Sequence, residues 1–180
     1  MRAKNAENNY DVFVSYAHAD NMPFPISKND KGWVDMLIDN LRSFLIQKGE
    51  HINIFMDHKF SNYGILVNKI KDALNNSLIL MPIISKNYLQ SSYCEKERIF
   101  FREKFLSNED YNDRIICVEK ETVDNNPFKD HLRNIFWLKD FRRDVINTLC
   151  LMDFRDKETY NDRVGNLCYS LIEILQKLKY

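Results

Sequence analysis

Glu97 lies in the stretch Ser91-Ser92-Tyr93-Cys94-Glu95-Lys96-Glu97-Arg98. On a helix its same-face neighbours are three and four positions away: Tyr93, Cys94, Phe100 and Phe101, none of them basic. A surface glutamate ordinarily has water, lysine or arginine at that spacing, whereas this one is bordered by aromatic rings and a thiol. Holding a carboxylate against apolar surface is costly unless the group has a partner or a task. A carboxylate so placed is a candidate functional group, provided the chain builds a pocket in front of it. Cys94 reads as a small buried packing residue and not as a nucleophile. His18 and His58 read as solvated loop residues, and no metal-ligand spacing joins them, so no metal is expected.

The elements that must position Glu97 alternate along the chain. Tyr10 to Tyr16 (YDVFVSY) reads as a buried strand, followed by a polar loop from Ala17 to Asp30. Lys31 to Lys48 has helical spacing, with Trp33, Leu37, Leu41, Phe44 and Leu45 on one face and Gly49 as its stop. Ile52 to Asp57 alternates like a strand, His58 to Gly64 is a loop, and Ile65 to Asn75 is an amphipathic helix. Leu78 to Ile84 (LILMPII) is the most apolar run and the expected central strand, although Pro82 removes one ladder donor. Ser92 with Glu95 reads as a capping box, predicting a helix from near Tyr93 to about Leu106. Arg114 to Glu119 is a further strand, Glu121 to Lys129 a loop, and Asn134 to Leu138 a short edge strand. Val145 to Asp153 is ambiguous between strand and helix, and Thr159 to Lys179 is a long helix.

Strand and helix in alternation predict a flavodoxin-like α/β three-layer sandwich: a central parallel sheet of about five strands with helices on both faces. In open sheets of this kind ligands bind beyond the carboxyl ends of the strands. The loops after Tyr16, Asp57, Ile84 and Glu119 then line one rim, and Glu97 follows the third of them closely. The 180 residues suit one domain over 10–180, with residues 1–9 expected to be frayed.

Composition narrows the function. Lysine plus arginine and aspartate plus glutamate are 26 each, a balance that argues against nucleic-acid binding driven by bulk charge. No run of about 18 apolar residues predicts a membrane span, and the N-terminus lacks the apolar block of a secretory signal. Cys94, Cys117, Cys150 and Cys168 are scattered without a CxxC pair, and read as reduced cytoplasmic thiols. With only Gly32, Gly49, Gly64 and Gly165 there is no GxGxxG and no GxxxxGK[ST], so any nucleotide is handled without the usual phosphate cradles.

Four motifs in order resemble the Toll/interleukin-1 receptor (TIR) domain family, over roughly residues 10 to 178. Tyr10-Asp11-Val12-Phe13-Val14-Ser15-Tyr16, with the tail Ala17-His18-Ala19-Asp20, resembles the family's first box. Ile54-Phe55-Met56-Asp57 up to Gly64 is similar to its second strand and BB loop. Ser85-Lys86-Asn87-Tyr88-Leu89 followed by Ser92-Tyr93-Cys94-Glu95-Lys96-Glu97 resembles its aromatic-Cys-x-x-Glu pattern, with Tyr93 where tryptophan is commoner. Phe136-Trp137 is similar to the third box.

The resemblance implies two classes of function. In members that cleave NAD+, the glutamate of the pattern carries the reaction; that position is Glu97. It implies NAD+ as substrate with no cofactor, and nicotinamide plus ADP-ribose or a cyclic isomer as products. Tyr93 is the candidate to pack on the ribose or nicotinamide, Ser15 and Tyr16 face the same rim, and Asp57, Tyr63 and Gly64 supply the second loop. The Asn-, Lys- and Ile-rich composition suggests a microbial source, and the resemblance implies that stand-alone microbial members often serve in anti-phage defence. The other class is a non-catalytic scaffold, since TIR domains associate with one another and with effector or sensor partners. A nucleoside-cleaving enzyme of the deoxyribosyltransferase type, with a similar sheet and a glutamate, is a third possibility.

Overall fold

In a computed structural model the described residues are 10–23, 31–57, 63–121, 123–128, 135–137 and 157–179. The expected readings of 1–9, His58, Val145 to Asp153 and Cys150 lie outside them. Five strands, β1 (Tyr10–Ser15), β2 (Ile54–Met56), β3 (Ser77–Ile84), β4 (Cys117–Glu119) and β5 (Ile135–Trp137), form one sheet in the order β2-β1-β3-β4-β5. Every pairing is parallel. The helices are α1 (Trp33–Gln47), α2 (Tyr63–Asn75), α3 (Lys86–Gln90), α4 (Ser92–Glu103), α5 (Asn108–Asn112) and α6 (Lys157–Lys179), with a 3₁₀ turn at His18–Asn21 after β1.

The period of two along β1 divides the core into two layers. Val12 and Val14 join α1 and α6 in one apolar cluster, with Trp33, Leu37, Leu41, Leu167 and Leu171. Phe13 and Ala17 join the other, with Ala73 and Leu74 of α2, Tyr88 of α3 and Cys94 and Phe101 of α4. Leu80 and Ile84 of β3 and Cys117 of β4 face this second layer too. Both sides of each central strand are therefore covered, which is why β3 reads as one unbroken apolar run. Ser15 shares the parity of Phe13 and Ala17, so the alternation turns its hydroxyl toward the α2–α4 layer.

Several element ends differ from the sequence-based expectation. Ser91, not Ser92, caps α4: its backbone is extended and its hydroxyl accepts the Cys94 N–H at 3.3 Å. With two serines in tandem, pattern alone does not choose between them. A separate short helix, α3, precedes α4, with Ser85 accepting the Tyr88 N–H at 2.9 Å. The strand expected from Arg114 begins at Cys117, because Ser107 starts α5 by accepting the Asp110 N–H and the turn after α5 runs into Arg114. Ile115 only bridges to Leu80.

Two glycines are required by the backbone. Gly49 has φ +74°, the left-handed conformation that ends α1. At Gly32 an added Cβ would stand 2.0 Å from the Asn21 carbonyl oxygen. That close approach lets Asn21 Oδ1 accept the Asp35 N–H at 2.9 Å, capping α1 from the 3₁₀ turn. The loop after β1 is thereby tied to the helix behind it.

Candidate active site

The apolar seam of α4 is interrupted by one acid. Cys94 and Phe101 are 1% and 0% exposed, and Glu97 lies between them at helical spacing, itself half-buried. Its carboxylate meets β1: Ser15 Oγ donates to Glu97 Oε2 at 2.6 Å, across 82 positions of sequence. Ser15 is the last residue of β1 and is fully buried. Glu97 thus stands at the carboxyl end of the central strands, the rim where a parallel sheet leaves its loops open for a ligand.

The surroundings make the charge on Glu97 expensive. Burial is the main cause that pushes its carboxyl up to about 8, the Ser15 hydrogen bond opposes this, and the Asp57 carboxylate adds to it. Burial also pushes the Cys94 thiol up to about 12, with Glu97 adding, so Cys94 is a protonated packing group.

Tyr16 points to the other face of the sheet, into the α1 layer, and is 7% exposed. Its hydroxyl donates to the Asp57 backbone carbonyl in a short hydrogen bond that joins the ends of β1 and β2. Burial, with Asp35 and Asp57 adding, raises its phenol well above the usual value. His18 is not simply solvated: its Nε2 lies 3.7 Å from Asp57 Oδ2 and its ring 5.5 Å from that of Tyr16. Tyr63 and Gly64 open α2. Tyr93 is 49% exposed, with the Lys96 amino group 5.7 Å from its ring centre, so it is a surface aromatic one turn before Glu97 and not a core residue. Among the described residues no group of three His, Cys, Asp or Glu side chains could hold a metal ion.

Further residues of this rim, Asp20, Ser85, Asn87 and Tyr88, stand in the quoted motifs but carry no expected role. Tyr88, 3% exposed, places its hydroxyl 3.4 Å from Ser15 Oγ. Asp20, 4% exposed, accepts from Ser85 Oγ in a short hydrogen bond, from Asn87 Nδ2 at 3.0 Å and from Lys120 Nζ at 2.9 Å. This cluster joins the segments following β1, β3 and β4. The motifs and the cap spacing of Ser85 and Tyr88 mark a helix start but no partner across the fold.

A family model for the TIR domain matches residues 12–163. Among solved structures, the chain is similar to the TIR domain of the Toll-related receptor TRR-2 from Hydra magnipapillata, at 21% identity and a TM-score of 0.48, covering 81% of this chain and 98% of that one. It is also similar to the TIR domains of the activated Roq1 resistosome, which recognises the pathogen effector XopQ, at 19% identity and a TM-score of 0.43, covering 94% and 98%. No curated protein matches the chain.

Proposed function

Because the chain belongs to the TIR domain family, we propose that it is an NAD+ glycohydrolase in which Glu97 is the catalytic residue. The observation that carries this reading is the Glu97 carboxyl itself, held between Cys94 and Phe101 and met by Ser15 at the strand ends. A helix needs no acid there for packing, and the position is the glutamate of aromatic-Cys-x-x-Glu.

The chemistry suits a single carboxylate. The bond between the ribose and the cationic nicotinamide breaks, nicotinamide leaves neutral with the bonding electrons, and positive charge passes to the ribose ring. The ionised Glu97 beside the ribose stabilises that charge. Water then adds to the ribose carbon and loses a proton, giving ADP-ribose; attack by another group of the same substrate gives a cyclic isomer instead. Since the leaving group needs no proton, no second acid is required. The exposed ring of Tyr93 supplies a stacking surface, while Ser15 holds the carboxylate and Tyr16 and Asp57 shape the neighbouring rim.

Incubating concentrated protein with NAD+ and resolving the products by chromatography tests the reading, with nicotinamide and ADP-ribose, linear or cyclic, as the expected result. The ionised form is the active one, so kcat/KM should rise with pH through about 8, where Glu97 of the free protein titrates. The cationic substrate favours the carboxylate, so the limb in kcat should lie at lower pH. A kcat/KM flat between pH 6 and about 9 would remove Glu97 from the reaction. Tyr93→Ala should lower turnover about tenfold, the worth of one stacked ring, without unfolding a residue that is already 49% exposed. Unchanged turnover would leave Tyr93 a surface residue only.

Self-association through TIR–TIR contacts belongs to the same proposal, which is why the assay uses concentrated protein. A chain that assembles yet leaves NAD+ intact is a scaffold, and cleavage of nucleosides without nicotinamide release marks the deoxyribosyltransferase reading. A cytoplasmic setting fits the buried free thiols Cys94, Cys117 and Cys168. Among the described residues no helix is long and apolar enough to cross a membrane. Membership of the microbial branch, and with it a role in anti-phage defence through NAD+ loss or a signalling product, is part of the same proposal and rests on the motifs and composition of the sequence.

A further inference from the structure

Tyr88 stands one link behind Ser15. The two hydroxyl oxygens are 3.4 Å apart, and Ser15 Oγ is 2.6 Å from Glu97 Oε2. A serine hydroxyl has one proton to give and lone pairs to accept with. While Glu97 is ionised, Ser15 gives its proton to the carboxylate and is left to accept, and the Tyr88 O–H, within reach at 3.4 Å, turns to donate to it. Once Glu97 is protonated, the carboxyl donates to Ser15, whose proton turns toward the Tyr88 oxygen. The chain of hydrogen bonds therefore reverses with the charge on Glu97. Its charge-assisted direction is the stronger one, so the Tyr88 hydroxyl favours the carboxylate.

The hydroxyl is aimed by structure outside the site. The Tyr88 N–H is held by Ser85 Oγ at 2.9 Å, and Ser85 donates to the buried Asp20, which also takes Lys120 Nζ and Asn87 Nδ2. The ring is fixed between the sheet and α4, where packing alone would accept phenylalanine. Ser15 at the end of β1 meets Glu97 directly, and the titratable groups that feel its charge are Asp57 from the end of β2, Tyr88 from α3, Cys94 from its own helix and, from the far face of the sheet, Tyr16. Cys94 and Cys117 also face Tyr88. Burial drives Glu97 toward its neutral form, the Ser15 hydrogen bond opposes it, and Asp57 adds to the burial.

The geometry points to Tyr88 as a positioning residue that acts through Ser15 to hold Glu97 in its charged, productive form; this rests on the catalytic reading above. Tyr88→Phe removes the hydroxyl and keeps the buried ring. Its limb in kcat/KM should move to higher pH by about half a unit to one unit, lowering kcat/KM at neutral pH about three- to tenfold and approaching the parent value at high pH. The loss at neutral pH should appear more in KM than in kcat, because bound substrate already favours the carboxylate. In a Ser15→Ala background the same change should add less than about twofold, because the link is already cut. Titration of the ¹³C-labelled Glu97 carboxyl by NMR reads the same shift without substrate. Site-specific 3-fluorotyrosine at position 88, a stronger donor of nearly the same shape, should move that titration to lower pH, and it decides the matter if Tyr88→Phe does not fold. Loss of rate by one factor at every pH, an unmoved Glu97 titration, or full additivity with Ser15→Ala would overturn the inference. Turnover surviving in Glu97→Gln would overturn the catalytic reading instead, while the NMR titration still judges the link.

Discussion

Glu97→Gln is expected to lose NAD+ cleavage by about a hundred- to a thousandfold or more, the scale of losing one pre-aimed electrostatic group, while gaining stability above neutral pH. The amide keeps the shape and can still accept from Ser15, but cannot carry the charge that the ribose requires. The stability gain follows from linkage. The folded protein raises the Glu97 carboxyl from 4.5 to about 8, mainly by burial. Its proton is bound more tightly in the folded chain than in the unfolded one, so stability is full below the unfolded value. It is lost as pH rises through the folded value, and above about 8 the fold carries the whole cost of the charge. Glutamine carries none of it. A shift of that size is worth several kcal/mol, and the partial exposure of Glu97 screens it to about 2 kcal/mol. Nicotinamide release and thermal unfolding from pH 4 to pH 9 measure both effects. Equal stability of the two proteins across that range, or turnover within about tenfold of the parent, contradicts the assignment. The pairing of lost activity with gained stability marks a group retained for function against the interest of the fold.

Asp20→Ala should destabilise the fold by about 3–5 kcal/mol, because it breaks a buried ion pair from one side. Asp20 is 4% exposed and takes hydrogen bonds from Ser85, Asn87 and Lys120, the last of these partly reachable by solvent. Its removal takes the carboxylate acceptor from all three donors, leaving Lys120 Nζ only the Asp20 backbone carbonyl at 3.3 Å, and cuts the side-chain links from the segment after β1 to those after β3 and β4. Against a typical total of about 5–15 kcal/mol, that is a large fraction. The denaturant midpoint measures it. Asp20→Ala combined with Lys120→Met should recover part of the loss, since the Lys120 amino group lies 5.7 Å from the Trp33 ring centre, a place a thioether can take, and no charge is then stranded. A midpoint unchanged by Asp20→Ala would show that the cluster is solvated in solution.

The linear order of residues determined the layers of this protein and pointed to its acid. Apolar runs and helical spacing account for β1, β3, α1 and α6, because burial on one or two faces leaves a period in the chain itself. Glu97 was legible for the same reason, as a carboxylate on a stripe that periodicity assigns to the core. Element ends were less so: Ser91 and Ser92 compete for one cap, and α5 hides before β4 among polar residues. What only the tertiary structure decided is who meets whom. Ser15 reaches Glu97 across 82 positions, Tyr88 reaches Ser15 across 73, and Lys120 reaches Asp20 across 100. The reason is physical: a hydrogen bond between side chains depends on the register of the strands and the packing of α3 and α4 against them. Neither leaves a local period, so a serine at a strand end and a tyrosine in a short helix look ordinary until the sheet brings them to the same carboxylate.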